Sequence, residues 1–98
     1  DWFRKYRSIK IIQGLIPDCL AELPDKPISF LHVDLNSASA EESTLEALKA
    51  RFRKGSIILF DDYGGFGGKN QAIVHEAFAK NNNRELLILP TGQALIVW

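Results

Sequence analysis

The chain has 98 residues, 46% of them hydrophobic, and a formal net charge of zero. We therefore expect one compact domain over residues 1–98. The balanced charge excludes a global field that would attract nucleic acid or an anionic membrane, and no apolar run approaches the roughly 18 residues of a membrane span. Cys19 is the sole cysteine, which excludes a disulfide framework and fits a reducing, cytoplasmic setting.

The N-terminal segment mixes basic and aromatic residues and permits two interpretations. Its basic residues are Arg4, Lys5, Arg7 and Lys10, and its aromatic residues are Trp2, Phe3 and Tyr6. One interpretation is a nucleic-acid-binding arm. We favour an amphipathic helix that docks its aromatic side, because a short charge cluster is usually a solvated face. The prediction is therefore no nucleic-acid partner.

The next part of the chain predicts a strand, a short helix and a second strand. Residues 8–13 are rich in isoleucine, which favours a strand, and residues 16–23 read as a short helix with a proline in its first turn. Prolines at both ends make residues 24–27 a loop. Residues 28–35 are apolar at most positions and predict a strand buried on both faces.

A helix is predicted over residues 41–52. Leucine and phenylalanine recur there at helical spacing, with acidic residues early and basic residues late, as the helix dipole favours. The residues expected to face the core are Leu45, Leu48 and Phe52. Lys54 and Gly55 follow, and a glycine just past the last turn is typical of a helix end.

The second half of the chain continues the alternation. Residues 56–60 form an apolar strand, and residues 63–69 form a glycine-rich loop. Residues 70–80 predict a helix, whose inward residues are expected to be Ile73, Val74, Ala77 and Phe78. Residues 85–89 and 93–97 form two further strands, and the short turn between them makes them an antiparallel pair.

The order β-α-β-α-β-α-β-β determines the expected fold. Alternating units cross over with right-handed connections and produce a parallel sheet with helices on its faces. We therefore predict a three-layer, Rossmann-like α/β domain with a mostly parallel open sheet and a C-terminal antiparallel strand.

Three carboxylates follow two of the predicted strands. Asp34 ends the strand that begins at Ile28, and Asp61 and Asp62 end the strand before residue 63. Ligands of open α/β sheets bind beyond the carboxyl ends of the strands, so these side chains are expected to converge on one rim. Three carboxylates suit a hard cation such as Mg²⁺. The alternative is that Asp61 and Asp62 only cap the following turn.

The chain resembles the C-terminal half of class I S-adenosylmethionine-dependent methyltransferases. The resemblance rests on three motifs in order: Leu31-His32-Val33-Asp34-Leu35-Asn36, Lys54-Gly55-Ser56-Ile57-Ile58-Leu59-Phe60-Asp61-Asp62-Tyr63-Gly64, and Pro90-Thr91-Gly92-Gln93. The most similar group is the macrocin-O-methyltransferase-like enzymes, which methylate hydroxyls of sugars. The resemblance implies that Asp34, Asp61 and Asp62 bind Mg²⁺, and that Asp34 takes a proton from the acceptor hydroxyl. Tyr63 is a candidate for the wall of a small-molecule substrate site.

The chain departs from this family in its donor-binding part. The 98 residues contain no Gly-x-Gly turn after a first strand and no acidic residue ending a second strand. Gly14, Leu15 and Ile16 resemble a segment that lies near the adenine of S-adenosylmethionine in the family. We therefore expect a partial domain that is inactive alone and forms a homo-oligomer through an exposed sheet edge. The alternative is a non-catalytic oligomeric remnant that binds a small ligand or a protein.

Three further sequence features have ordinary structural explanations. His32 is expected to be a hydrogen-bonded core residue, and His75 to be exposed on the polar side of its helix. The glycine-rich segment 64–69 invites a phosphate-loop reading, which would make the chain a nucleotide-binding module. A Walker loop needs a glycine and a hydroxyl where Tyr63 and Asn70 stand, so a loop that closes over substrate is the favoured interpretation.

Overall fold

The computed structural model describes residue 5 and residues 7–63 and 69–98. The predicted N-terminal amphipathic helix falls largely outside these residues, and so does the glycine-rich loop over 64–68. Among the described helices, none is long and apolar enough to cross a membrane.

A short 3₁₀-helix, Asp18–Glu22, precedes the regular elements of the described chain. In chain order these elements are β1 (Ile28–Val33), α1 (Ala38–Leu48), β2 (Phe52–Phe60), α2 (Lys69–Asn81), β3 (Leu87–Ile88) and β4 (Ala94–Val97). A single 3₁₀ turn, Lys49–Arg51, connects α1 to β2.

The strands form one mixed sheet in the order β1-β2-β4-β3. β1 and β2 are parallel, whereas β4 runs antiparallel to both of its neighbours, β2 and β3. β3 therefore points in the same direction as β1 and β2, although β4 separates it from them. This topology confirms the predicted α/β class, the mostly parallel open sheet and the antiparallel C-terminal strand.

Both α-helices pack on the same face of the sheet and contact each other. The buried apolar residues between the helices and the sheet are Val33, Leu45, Leu48, Phe52, Ile58, Phe60, Phe78, Ala79, Ala94 and Ile96. Trp98 packs against this core through the rings of Phe52 and Phe78. The described residues thus supply two of the three predicted layers.

The opposite face of the sheet carries exposed apolar side chains. Phe30 pairs with Ile57, which in turn pairs with Val97, so these three side chains lie side by side across β1, β2 and β4. Their exposed fractions are 57%, 37% and 51%. We call this set the bare face.

The strand predicted over residues 8–13 is wrong. These residues join no strand of the sheet, and Ile9 and Ile11 are exposed. An isolated apolar stretch gains stability as a strand only if it finds a pairing partner, and β1 pairs with β2 alone. The helix predicted over 16–23 is shorter than expected, since the 3₁₀-helix begins only after Pro17.

The boundary between α1 and β2 also differs from the prediction. The helix ends at Leu48, and the strand already begins at Phe52. Gly55 does not end the helix but lies inside β2 with φ of 91°, where the register shifts between the pairs Ile28–Phe52 and Phe30–Ile57. Glycine adopts this positive φ without steric cost, so it serves a β-bulge here.

Helix α2 forms as predicted but turns a different face inward. Ile73 and Ala77, expected in the core, are exposed, whereas Phe78 is buried as predicted. Two polar residues, Gln71 and His75, are buried in their place. Both residues form hydrogen bonds to Glu41 of α1. These bonds hold the helix with Gln71 and His75 facing inward, because buried polar groups need hydrogen-bond partners.

Candidate functional site

Three carboxylates meet where β1 and β2 end. Val33 and Phe60, the last residues of these strands, are partners in the register, and the Asp61 N–H donates to the Val33 carbonyl at 3.0 Å. Asp34 and Asp61 therefore leave the sheet side by side. The carboxylates of Asp34, Asp61 and Asp62 each offer an oxygen, and all three oxygens lie within 4.8 Å of one another. We call this group the carboxylate rim.

The donor set of the carboxylate rim fits a hard divalent cation. It consists of carboxylate oxygens alone, the ligand type that Mg²⁺ prefers, and it leaves coordination positions for water or substrate. Asp34 is exposed, and Asp61 and Asp62 are partly buried. The predicted convergence of the three side chains is confirmed, whereas their role as metal ligands stays a prediction.

Two neighbouring side chains hold Asp61 in place. Gln93 donates from Nε2 to Asp61 Oδ1 at 3.1 Å, and His32 Nε2 lies 3.4 Å from the same oxygen. Gln93 reaches the rim because antiparallel β4 starts where β2 ends, with Ala94 opposite Phe60.

The expectation that His32 is hydrogen-bonded is confirmed, but the expectation that it lies in the core is wrong. Its side chain is 44% exposed on the bare-face side of β1, and it contacts Asp61 rather than the core. The period-two alternation of the strand explains this, since Val33 lies in the core and Leu31 packs against it. Counting alternate residues along this strand would have predicted from the sequence that His32 faces away from the core.

Tyr63 is held between the rim and helix α2. Its backbone N–H donates to the Gly92 carbonyl at 2.9 Å, and its hydroxyl donates to the Glu76 carboxylate. The bond to Glu76 raises the pKa of Tyr63 above its usual value of 10.0, with smaller contributions from desolvation and from the Glu76 charge. The residue is half-buried, and its hydroxyl is bonded to Glu76 of α2. Its role in the wall of a substrate site stays a prediction.

The turn between β1 and α1 places Asp34 beside the start of a helix. Asn36 adopts φ of 51°, a left-handed conformation that asparagine tolerates better than most residues. Ser37 then caps α1 by accepting from the Ala40 N–H at 3.3 Å. The Leu35 N–H, next to Asp34, donates to Glu41 Oε2 at 3.4 Å.

The predicted cofactor-binding residues Gly14, Leu15 and Ile16 are not part of the carboxylate rim. Leu15 is 79% exposed, and a side chain at Gly14 would collide with Cys19. Ile16 lines an apolar cavity of about 180 Å³ beside β1, together with Leu20, Leu23, Leu31, His32, Val33, Leu35, Thr44 and Leu48. This cavity supplies no carboxylate for a ribose and no glycine turn for a cofactor tail.

A family model of the methyltransferase domain matches residues 3–63 of the chain. Among solved structures, CalS11, a TDP-rhamnose 3'-O-methyltransferase of calicheamicin biosynthesis, is 27% identical, with a TM-score of 0.68 over 85% of this chain and 36% of that one. The O-methyltransferase NovP is 18% identical, with a TM-score of 0.78 over 97% of this chain and 41% of that one. At that identity NovP supports the fold alone.

The chain spans about two-fifths or less of the length of these relatives. A comparison with curated protein sequences found no match.

Proposed function

Because the chain belongs to the methyltransferase domain family, we propose that it forms the acceptor side of an O-methyltransferase that acts on hydroxyls of sugars or other small molecules. Family membership confirms the resemblance to class I methyltransferases drawn from the sequence motifs. The observation that carries the proposal is the carboxylate rim, where oxygens of Asp34, Asp61 and Asp62 lie within 4.8 Å of one another. The activity of CalS11 on a sugar hydroxyl supports the acceptor class.

In this proposal Asp34, Asp61 and Asp62 hold Mg²⁺ at the rim. The bound ion would polarise an acceptor hydroxyl and lower its pKa. Asp34, the exposed member, accepts the proton that the hydroxyl releases. Gln93 and His32 keep Asp61 oriented through its Oδ1. Tyr63 lines the acceptor site.

S-adenosylmethionine is the methyl donor that the family implies, but the described residues at the predicted donor-binding positions do not fit it. Leu15 is 79% exposed, and the cavity beside Ile16 is lined by apolar residues apart from His32 and Thr44, with no acidic residue that could hold a ribose. We therefore propose that this part of the protein does not transfer methyl groups alone, and we derive no step through the donor.

The alternative function, a non-catalytic oligomeric module, is favoured by a separate observation. β1 is an edge strand of the described sheet, and the bare face adjoins it. A second copy of the chain that pairs along β1 would cover this edge. The single Cys19 supports a cytoplasmic setting for either function.

Titration of the purified chain with Mn²⁺, followed by electron paramagnetic resonance, tests the metal site, because Mn²⁺ takes the same oxygen ligands as Mg²⁺. We expect saturable binding, competition by Mg²⁺, and at least about tenfold weaker Mn²⁺ affinity in each of Asp34→Asn, Asp61→Asn and Asp62→Asn.

The matched control is Asp25→Asn, which removes the same charge from a loop carboxylate whose side chain is fully exposed. It should bind Mn²⁺ like the unmodified chain. Equal weakening in the control and the rim variants, or no saturable binding at all, would overturn the metal site.

A further inference from the structure

A buried polar cluster connects helices α1 and α2. Glu41, Gln71 and His75 have exposed fractions of 1%, 6% and 0%. His75 Nε2 lies 2.5 Å from Glu41 Oε1, and Gln71 Nε2 donates to Glu41 Oε2 at 3.0 Å. Glu41 is the central member, since both partners bond to its carboxylate.

The cluster also contacts the backbone that carries Asp34. The Leu35 N–H donates to Glu41 Oε2, the same oxygen that accepts from Gln71. Leu35 directly follows Asp34, so this bond restrains the peptide at the end of β1. The β1–α1 turn is therefore held by a hydrogen bond to a buried carboxylate.

The cluster contacts the second loop of the carboxylate rim through His75. The imidazole stacks on Phe60, with ring centroids 3.9 Å apart, and faces the ring of Tyr63 at 6.1 Å. Phe60 directly precedes Asp61, and Tyr63 directly follows Asp62. One buried imidazole therefore packs against residues on both sides of the aspartate pair.

We propose that the Glu41–Gln71–His75 cluster is a positioning device that fixes the spacing between Asp34 and the Asp61–Asp62 pair. This inference rests on the metal site proposed above. The cluster joins the two loops by contacts that do not involve the carboxylates themselves. It acts on the rim as outer-shell partners act on metal ligands, by orienting them before the ion binds.

The burial of these groups supports a positioning role over a purely stabilising one. A buried carboxylate–imidazole pair costs desolvation energy that apolar side chains of similar volume would avoid, so such a pair is weak evidence for stability. Leucine at these helix positions would fill the core as well. It would offer no acceptor to the Leu35 N–H.

The test compares Mn²⁺ affinity in Glu41→Ala and Glu41→Gln. Alanine removes every bond of the cluster, and we expect the affinity to fall about tenfold, the lower end for loss of an outer-shell partner. Glutamine keeps an acceptor oxygen for Leu35 or Gln71 and an amide that can donate to the imidazole. It should therefore retain affinity to within about threefold.

The control for loss of stability is Thr44→Val. Thr44 is buried on the same helix, but its hydroxyl donates only to the Ala40 carbonyl within α1. Thermal unfolding of each variant shows that it is folded at the titration temperature. Thr44→Val should lower the melting temperature while Mn²⁺ affinity stays unchanged.

The outcomes separate the two proposals. If the unmodified chain binds no Mn²⁺ through the rim, the metal site and this inference both fail. If the chain binds Mn²⁺ and folded Glu41→Ala binds it equally well, only the positioning role is overturned. Equal affinity losses in Thr44→Val and Glu41→Ala would likewise overturn it, because general destabilisation would then explain the effect.

Discussion

At the scale of single residues, Asp61 is the most constrained carboxylate of the rim. Its Oδ1 accepts from Gln93 and contacts His32, and its backbone N–H bonds to β1. Asp34, by contrast, is exposed. This division suits the proposed roles, in which Asp61 orients a cation and Asp34 also receives a proton.

Tyr63 predicts a pH dependence that can be measured directly. Its pKa is raised, so the neutral phenol is favoured in the folded chain. The resulting stability is fully present below pH 10, the unfolded value, and is lost as pH rises through the folded pKa. We expect the unmodified chain to lose more unfolding free energy above pH 10 than Tyr63→Phe does.

Absorbance titration of the phenolate in EDTA gives the second readout. Tyr6 is the only other tyrosine, so Tyr63→Phe should remove one of the two titrating groups, the one whose pKa Glu76 raises. Glu76→Gln should return the pKa of Tyr63 toward 10.0, because it removes the charged acceptor. An unchanged titration in Glu76→Gln would contradict the assigned cause.

At the scale of secondary-structure elements, the bulge in β2 depends on one buried hydroxyl. Ser56 donates from Oγ to the Ile28 carbonyl at 2.6 Å and accepts from the Arg53 N–H at 2.8 Å. The bulge leaves these two backbone groups outside the regular ladder of β1 and β2. Ser56 thus replaces the strand-to-strand bonds that the bulge interrupts.

We predict that Ser56→Ala lowers the free energy of unfolding by about 1–3 kcal/mol, because it leaves two partly buried backbone groups without their hydrogen-bond partner. Urea denaturation measures the change. The control is Ser29→Ala, which removes an exposed hydroxyl from the neighbouring strand and should shift stability by less than about 0.5 kcal/mol. Equal effects in both variants would contradict the role given to Ser56.

The elements also show which features of the fold can be predicted from local sequence patterns. The convergence of Asp34 and Asp61 was predictable, because parallel strands end at the same edge, and Leu45 and Leu48 were placed in the core by helical spacing. The burial of His75 was not, since it depends on Glu41, which lies far away in the sequence. Gly55 after a basic residue is equally typical of a helix end and of a bulge, and only strand pairing distinguishes them.

The bond between Gln93 and Asp61 could not be predicted from the local sequence. Nothing in the turn Pro90-Thr91-Gly92 indicates a partner for the residue that follows it. Its bond to Asp61 arises because β4 inserts next to β2, and that choice of neighbour belongs to the whole sheet. A site residue of this kind can be predicted only once the strand order is known.

At the scale of the whole molecule, the edge of β1 and the bare face predict self-association. We expect light scattering at high micromolar concentration to give a dimeric or larger mass, since an unpaired apolar strand promotes pairing with another chain. Phe30→Lys, on the bare face of β1, should shift the mass toward the monomer.

Ile73→Lys is the matched control for the association. Ile73 has an exposed fraction of 58%, close to the 57% of Phe30, but it lies on α2, away from the bare face. The same lysine there should leave the mass unchanged. A monomeric mass for the unmodified chain would contradict the association, and an equal effect of both lysines would contradict its location.

The insertion of β4 between β2 and β3 bears on how the chain is made. The ribosome synthesises β2 and β3 before β4. Neither strand can pair with β4, which lies between them in the sheet, until β4 has left the ribosome. Until then β2 presents a free edge, and β3 has no place in the sheet. The residue that orients Asp61, Gln93, arrives with the same late strand. The sheet is therefore completed, and Asp61 receives its bond from Gln93, in the same step of folding.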